Sequence, residues 1–100
     1  MDIEPSETII TGQWIIRNGH VVGDEACHRI RSLASSYLEK IGWDTSGWET
    51  LYRDPNDGRY WELTFPQGEL HGGGPPQLRC LVADEALQKY GFWLDPGSGG

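Results

Sequence analysis

The side chains best suited to acid–base or metal chemistry in this chain are its three histidines. His28 directly follows Cys27, so on a helix the two side chains point to different faces and do not chelate one ion. His20 and His71 are far apart in sequence, and no spacing of histidine and cysteine matches a known ligand pattern. We therefore expect surface or hydrogen-bonded histidines, with no bound metal and no cofactor.

Nucleophilic catalysis and phosphate binding have equally weak support. Cys27, Ser35 and Ser36 fall in a predicted helix with no oxyanion loop beside them. The run His71-Gly72-Gly73-Gly74 could present backbone amides to a phosphate, but it lacks the Lys-Ser/Thr of a phosphate-binding loop. We expect a plain connector there and a protein that is not an enzyme.

The carboxylates form a more suggestive pattern, because six of them surround one segment near the middle of the chain. The simple interpretation is a solvated acidic face, and the alternative is a docking surface for a cationic partner with aromatic anchors between the charges. Five tryptophans exceed the needs of a small core, which favours the docking surface. The predicted partner-binding residues are Trp43, Glu49, Arg53, Asp54, Asp57, Tyr60, Glu62 and Glu69, and the sixth carboxylate is Asp44.

The charge balance points to the same kind of partner. The chain has 100 residues, 8 Lys plus Arg, 15 Asp plus Glu and a net charge of −7. Binding to nucleic acid or to an anionic membrane usually needs a basic patch, so a basic protein is the better candidate. Two cysteines suit small buried thiols in a reducing compartment, and the N-terminus resembles no signal peptide. We expect a cytoplasmic protein without a membrane span.

The predicted secondary structure around these residues centres on a hairpin from Leu51 to Pro66. Asp54-Pro55-Asn56-Asp57-Gly58 has the residues of a tight turn. If Asp54 lies opposite Arg59, Tyr52 faces Trp61, and one face carries five large apolar side chains: Trp48, Tyr52, Trp61, Leu63 and Phe65. The other face and the adjoining loops carry the predicted partner-binding residues. We expect Trp61, Leu63 and Phe65 to share one core with Leu33, Tyr37 and Leu38 of a helix.

The remaining patterns complete an α+β fold. Asp24 begins a long helix whose apolar stripe runs to Ile41, and Gly42 ends it. Residues 8–16 and 19–22 predict one or two strands around the turn dipeptide Asn18-Gly19. Leu78–Val82 predicts a strand with Leu78, Cys80 and Val82 inward and with Arg79 and Leu81 outward. A short helix follows from Glu85 to Tyr90. The predicted fold is an antiparallel three- to four-stranded sheet packed against one long helix, with a short C-terminal helix. Residues 1–7 form a loose arm, 8–94 a single domain, and 95–100 a flexible tail or a remnant of cloning.

Several runs resemble the immunity proteins of bacterial polymorphic toxin systems, specifically the group called immunity protein 27. The runs are Gly47-Trp48, Leu51 to Pro55, Asp57 to Arg59, Trp61 to Pro66, Gly72 to Pro76, Arg29-Ile30 to Leu33, and Lys89 to Gly91. The resemblance implies a small cytoplasmic protein that is made beside a secreted toxin, binds the toxin domain and blocks it. It implies no catalytic residues and no particular toxin activity.

The function expected from residues and resemblance together is a stoichiometric toxin inhibitor. Its partner would be the C-terminal domain of a cognate toxin, expected to be basic, such as a nuclease or another nucleic-acid-modifying enzyme. The chain would be a monomer alone and a 1:1 heterodimer with the toxin. The alternatives are a small acidic scaffold or regulatory domain, and a small hydrolytic enzyme, which would need a pocket that joins His71 or His20 to two carboxylates.

Overall fold

A computed structural model describes residues 3–66 and 74–94 of the chain. The predicted contact Glu69, the predicted connector around His71 and the predicted tail 95–100 lie outside these residues. The strands are β1 (Ile9–Thr11), β2 (Trp14–Arg17), β3 (His20–Gly23), β4 (Glu39–Trp43), β5 (Thr50–Arg53), β6 (Tyr60–Thr64) and β7 (Gln77–Leu81). The helices are α1 (Glu25–Ser32), which continues into a π-helical turn (Leu33–Tyr37), and α2 (Ala83–Leu94).

The strands form two antiparallel sheets. The larger sheet has five strands in the order β1-β7-β6-β5-β4, and β2 and β3 pair in a separate two-stranded sheet. The predicted α+β class with an antiparallel sheet is confirmed. The sheet is wider than the three to four strands expected because β4, predicted as the end of the long helix, adds an edge strand. None of the helices in the described part of the chain has the length and apolar character needed to cross a bilayer.

The β5–β6 hairpin has the predicted register. Tyr52 lies opposite Trp61, and Thr50 lies opposite Leu63. The Asp54 N–H donates to the Arg59 carbonyl at 2.8 Å, which closes the loop as expected. Gly58 has φ +78°, a conformation that residues with a Cβ rarely adopt, so the turn depends on glycine there. The second hairpin, β2–β3, turns at Asn18 and Gly19, whose positive φ values of 54° and 77° confirm the predicted turn dipeptide.

The large sheet is covered on both faces, so the domain has two apolar cores. One face packs against α1 and the π-helical turn through the cluster Ile3, Ile10, Ile30, Leu33, Leu38, Tyr52, Trp61 and Leu78. The opposite face packs against α2 through Leu51, Leu81, Ala86 and Tyr90. The prediction that Leu81 points outward and Val82 inward is therefore wrong: Leu81 is buried beneath α2, and Val82 is exposed.

The predicted long helix begins where expected and ends early. Asp24 caps α1, since its Oδ1 accepts the Cys27 N–H at 2.9 Å. The chain leaves helical geometry at Leu38 (φ −76°, ψ 147°), and 39–43 form edge strand β4 instead of a last helical turn. Gly42 is thus a strand residue and not a helix cap. A Cβ at Gly42 would lie 2.2 Å from the Trp93 ring, so glycine there lets α2 approach the sheet.

Two residues assigned to the first core lie at the surface. Trp48 is 75% exposed and Phe65 is 37% exposed. The last residue pair between β5 and β6 is Thr50 with Leu63. Trp48 precedes β5 and Phe65 follows β6, so both lie beyond this pair. The predicted burial of Tyr52, Trp61, Leu33 and Leu38 is confirmed, and Leu63 and Tyr37 pack against the same core.

The segment predicted as a loose arm is attached to the domain over residues 3–7. Ile3 is buried in the first core. Arg29 donates to both carboxylate oxygens of Glu7 at 2.6 Å. Arg59 donates to the carbonyls of Glu7 and Glu4, at 2.6 and 3.1 Å. The prediction of a loose arm is wrong for residues 3–7, because the burial of Ile3 and the hydrogen bonds from Arg29 and Arg59 attach them to the domain.

The Glu7–Arg29 pair should make stability depend on acid pH. The hydrogen bonds from Arg29, opposed by partial burial, lower the pKa of Glu7 from 4.5 to about 2. A lowered folded-state pKa stabilises the fold above the unfolded value, and this contribution is lost as pH falls from about 4.5 towards 2. We expect Glu7→Gln to be less stable than the parent near neutral pH and to approach it near pH 2.

Urea unfolding at several pH values measures this difference. Glu39→Gln, which changes an exposed carboxylate on β4 that forms no ion pair within residues 3–66 and 74–94, is the matched control. A difference between Glu7→Gln and the parent that stays constant across this pH range would contradict the assigned role of the pair.

Candidate functional site

The structure separates the predicted partner-binding residues into three groups. Near the turn of the β5–β6 hairpin, Arg53 lies opposite Tyr60, and Asp57 lies in the turn itself. Trp43, on β4, pairs with Thr50 at the other end of β5. Thr50 is three residues from Arg53 along the strand, so this end of the hairpin lies about 10 Å from Arg53. In the third group, Asp54 and Glu62 are buried, and Glu49 forms an ion pair with Lys89 of the same chain. The predicted contacts therefore do not form one open face.

Glu62 is the largest departure from the predicted surface, because only 1% of it is exposed. The Tyr90 hydroxyl donates to Glu62 Oε2 at 2.7 Å, and Lys89 Nζ lies 2.7 Å from the same oxygen. Arg79 Nη2 lies 3.4 Å from Oε1. The expectation that Glu62 faces solvent is wrong since α2 covers this face of the sheet. A buried carboxylate needs such partners to offset its lost hydration.

The partners of Glu62 extend this arrangement into a network that links α2 to the sheet. Lys89 also pairs with Glu49, and Arg79 Nη1 lies 3.5 Å from Glu85 Oε2. Burial opposes the charge of Lys89, but its hydrogen bonds to Glu49 and Glu62 outweigh that effect and raise its pKa. Burial, and then the hydrogen bond and charge of Glu62, raise the pKa of Tyr90. Lys89 therefore stays charged, and the Tyr90 phenol keeps the proton that it donates.

Asp54 is also interior, so the premise that it is open to a partner is wrong. The Tyr37 hydroxyl donates to Asp54 Oδ1 at 2.6 Å, and the Asn56 N–H donates to the same oxygen at 2.8 Å. These bonds join the hairpin turn to the π-helical turn on the first face of the sheet. The Asp54 carboxylate thus stabilises the hairpin and its contact with the helical layer.

Asp57 remains at the surface, but its carboxylate already has partners in the turn. It accepts the Arg59 N–H at 3.0 Å and pairs with Arg59 Nε at 2.7 Å. These contacts, with the backbone hydrogen bond as the largest, lower the pKa of Asp57. The acidic hairpin is therefore much less of a free anionic surface than the sequence indicates.

An aromatic cluster lies at the base of the hairpin, and we define it as Trp43, Phe92 and Trp93. The Trp43 and Trp93 ring centroids are 4.7 Å apart, and those of Phe92 and Trp93 are 5.6 Å apart in an edge-to-face arrangement. Trp93 Nε1 donates to the Trp43 carbonyl at 2.8 Å. Trp43 is 48% exposed and Phe92 is 78% exposed, so the cluster presents apolar rings to solvent.

Of this cluster, only Trp43 was among the predicted contacts, and the predicted C-terminal helix ended at Tyr90. Tyr90 is non-helical (φ −124°, ψ 22°), so α2 is kinked at the predicted end, and a second helical segment beyond the kink reaches Leu94 and carries Trp93 over Gly42. Trp93 packs at the edge of the second core, whereas Phe92 does not contribute to it. The adjacent aromatic residues Phe92 and Trp93 were the feature of the sequence that could have indicated this cluster.

A pocket of about 230 Å³ lies between the aromatic cluster and the Glu62 network. Asp44 stands on its rim, where Oδ1 accepts from the Ser46 hydroxyl at 2.7 Å, the Gly47 N–H at 3.0 Å and the Glu49 N–H at 3.3 Å. Burial opposes ionisation, but these bonds outweigh it and lower the pKa of Asp44. The residues that line the pocket are Trp43, Asp44, Thr45, Lys89, Tyr90, Phe92 and Trp93.

A larger groove of about 640 Å³ opens on the other side of the sheet, beside α1. The exposed Trp48 and Phe65 belong to its wall, together with Trp14, Ile30, Arg31, Ala34, Ser35, Tyr52, Leu63, Gly74 and Pro76. Among the described residues of this lining, Arg31 is the charged one. Within residues 3–66 and 74–94, no three His, Cys, Asp or Glu side chains approach closely enough to hold a metal ion.

Comparison with protein-family models matches residues 16–82 to the family described as immunity protein 27. The chain belongs to this family. It is accordingly an immunity protein, and its partner is a cognate toxin. The resemblance noted from the central motif is confirmed by this match. Searches of curated proteins and of solved structures gave no match.

The range matched by the family covers only part of the candidate site of this immunity protein. It includes Trp43, Asp44 and Glu62, but it ends at residue 82, before the α2 residues that complete the pocket. The Glu62 network and the aromatic cluster are therefore both built across the boundary of the matched range.

Proposed function

We propose that this immunity protein neutralises its toxin by forming a one-to-one complex, without turnover, and that the toxin domain is basic. A nuclease or another nucleic-acid-modifying enzyme is the proposed toxin class, because enzymes that act on polyanions carry basic surfaces. The family match over residues 16–82 is the observation that carries the proposal. The proposed location is the cytoplasm, where the free thiols Cys27 and Cys80 remain reduced.

The distribution of charge supports a basic partner. The net charge is −7, and four of the basic side chains (Arg29, Arg59, Arg79 and Lys89) already pair with carboxylates of the chain. Glu25, Glu39 and Asp84 are exposed and form no ion pair among the residues that the structure describes. Such excess negative charge accelerates association with a cationic protein, and the acceleration falls with added salt.

The proposed contact surface keeps those predicted residues whose side chains reach solvent. Trp43, Arg53 and Asp57 are exposed, and Tyr60 is half-buried at the edge of the second core. Glu69 stays a predicted contact. Glu49, Asp54 and Glu62 act in this proposal by holding the hairpin and α2 in place. Because Tyr60 also packs in the core, a loss of binding by Tyr60→Ala counts only if the variant melts as the parent does.

The mode of inhibition predicts a sharp stoichiometric end point. The toxin domain encoded beside this chain, held at a concentration well above the dissociation constant, should lose activity in proportion to added immunity protein and reach zero near one equivalent. Isothermal titration calorimetry of the same pair should give a stoichiometry near one, with weaker binding at high salt.

Other outcomes of this titration contradict the proposal in distinct ways. Substoichiometric protein that silences excess toxin would show an enzyme. Binding that leaves the toxin fully active would show a scaffold or regulatory domain. A complex whose affinity does not respond to salt would contradict the basic character proposed for the partner.

A further inference from the structure

We propose that the pocket beside the aromatic cluster receives an arginine side chain of the toxin domain. This inference rests on the proposed function and deepens it, because it names the chemical group that the toxin contributes and the place where it binds. The pocket is the one between the aromatic cluster and the Glu62 network, with Asp44 on its rim.

The charge around this pocket is negative. Three carboxylates, those of Asp44, Glu49 and Glu62, act together on the Tyr90 phenol in its wall. Glu85 is a fourth carboxylate of the Glu62 network, and three cations lie among these groups: Lys89, Arg79 and, over the Trp43 ring, Lys40. Four negative and three positive charges leave a local sum of −1. The Lys89 ammonium is already shared by Glu49 and Glu62. The Asp44 charge is therefore the one that a partner's cation would meet at the rim.

The carboxylate of Asp44 is suitably prepared to bind a cation. All three hydrogen bonds that it accepts within the described residues end on Oδ1, and none of them uses Oδ2. These bonds fix the orientation of the group and hold it in the ionised form. A guanidinium that reaches Oδ2 would find an oriented, charged acceptor.

The aromatic cluster distinguishes arginine from lysine. A planar guanidinium stacks on aromatic faces and still directs N–H groups in its plane to a carboxylate, whereas an ammonium is a compact, strongly hydrated charge. The rings of Phe92 and Trp93 meet edge to face, and Phe92 is mostly exposed. Trp43 already holds a cation of the chain, with Lys40 Nζ 5.4 Å from its ring centroid. Phe92 and Trp93 are thus the rings proposed to meet the arginine.

The larger groove beside α1 is the rival docking place, and charge decides against it. Among the residues that the structure describes, its lining is mostly apolar, and the charged side chain in it is the cationic Arg31. These described residues offer a basic toxin no carboxylate. The groove and the pocket lie on opposite faces of the sheet, so variants can test them separately.

The experiment compares two pocket variants with two matched controls. The pocket variants are Phe92→Ala, which removes an exposed ring, and Asp44→Asn, whose amide oxygen can still accept the turn bonds. The controls are Trp48→Ala, which removes an exposed ring from the rival groove, and Asp84→Asn, which neutralises an exposed carboxylate in α2. The probe is a catalytically inactive form of the toxin domain encoded beside this chain, and melting curves confirm that every variant is folded.

Each pocket variant should weaken binding about tenfold or more, and each control should stay within about twofold of the parent. An arginine-to-alanine scan of the toxin domain should find one position whose loss weakens binding to the parent about tenfold but barely affects binding to Asp44→Asn. Replacement of that arginine by lysine should restore only part of the affinity.

The outcomes separate this inference from the proposed function. If the parent binds the toxin domain while Phe92→Ala and Asp44→Asn bind equally well, the pocket is overturned and the proposed function stands. If Trp48→Ala alone loses affinity, the groove beside α1 is the docking place and the pocket is again overturned. If the parent does not bind the toxin domain at all, the proposed function and this inference fall together.

Discussion

Replacement of Trp61 by alanine is expected to lower the free energy of unfolding by about 3–5 kcal/mol. Trp61 is fully buried in the first core, opposite Tyr52, and Arg59 covers its ring at 5.0 Å from the centroid. The substitution removes the largest buried side chain and leaves a cavity between the sheet and the helical layer. A loss of this size is comparable to the whole stability of many small domains. Urea unfolding and thermal melting measure it.

Trp48→Ala is the matched control, because it removes the same side chain from a position that is 75% exposed. We expect it to cost no more than about 1 kcal/mol, since little of the ring leaves water on folding. Similar melting temperatures for Trp61→Ala and the parent would show that the hairpin register, and with it the first core, is wrong.

Replacement of Glu62 by lysine is expected to unfold most of the protein or to cost about 3–5 kcal/mol. The new ammonium would lie in a buried site beside Lys89 and Arg79, where Glu62 now holds both cations. Tyr90 would also lose the acceptor of its 2.7 Å hydrogen bond. The result bears directly on function, because the sequence pattern alone offers Glu62 as a surface contact. Lost toxin binding by this variant would report lost structure.

Glu39→Lys makes the same charge reversal at an exposed position on β4 and serves as the control. We expect its unfolding free energy to lie within about 0.5 kcal/mol of the parent. A Glu62→Lys variant that melts with the parent, and whose α2 resists proteolysis as the parent's does, would refute the buried network and return Glu62 to the surface.

Local chemistry specifies the β5–β6 hairpin and the start of α1, whereas the last helix begins at Ala83 and not at the predicted Glu85. The Asp54–Gly58 turn and the alternation of side chains around it specify one register, because a slip of one residue would expose Tyr52 and Trp61. Asn18-Gly19 specifies the other hairpin by its tolerance of positive φ. Asp24 specifies the start of α1 by capping its first free amides. The central motif was also enough to identify the family.

The end of the first helix and the face of the hairpin that is open to solvent depend on long-range packing. The apolar spacing from Ile30 to Ile41 suits a helix, yet 39–43 pair with β5 because strand hydrogen bonds and the contact of Trp93 with Gly42 outweigh local helical preference. The alternation of side chains along β6 predicts that Glu62 points outward to solvent. It is buried because α2, folded from residues about twenty positions later, covers that face and supplies Tyr90 and Lys89 as partners. Alternation distinguishes the two faces of a strand, but it does not show that a second layer covers the polar one.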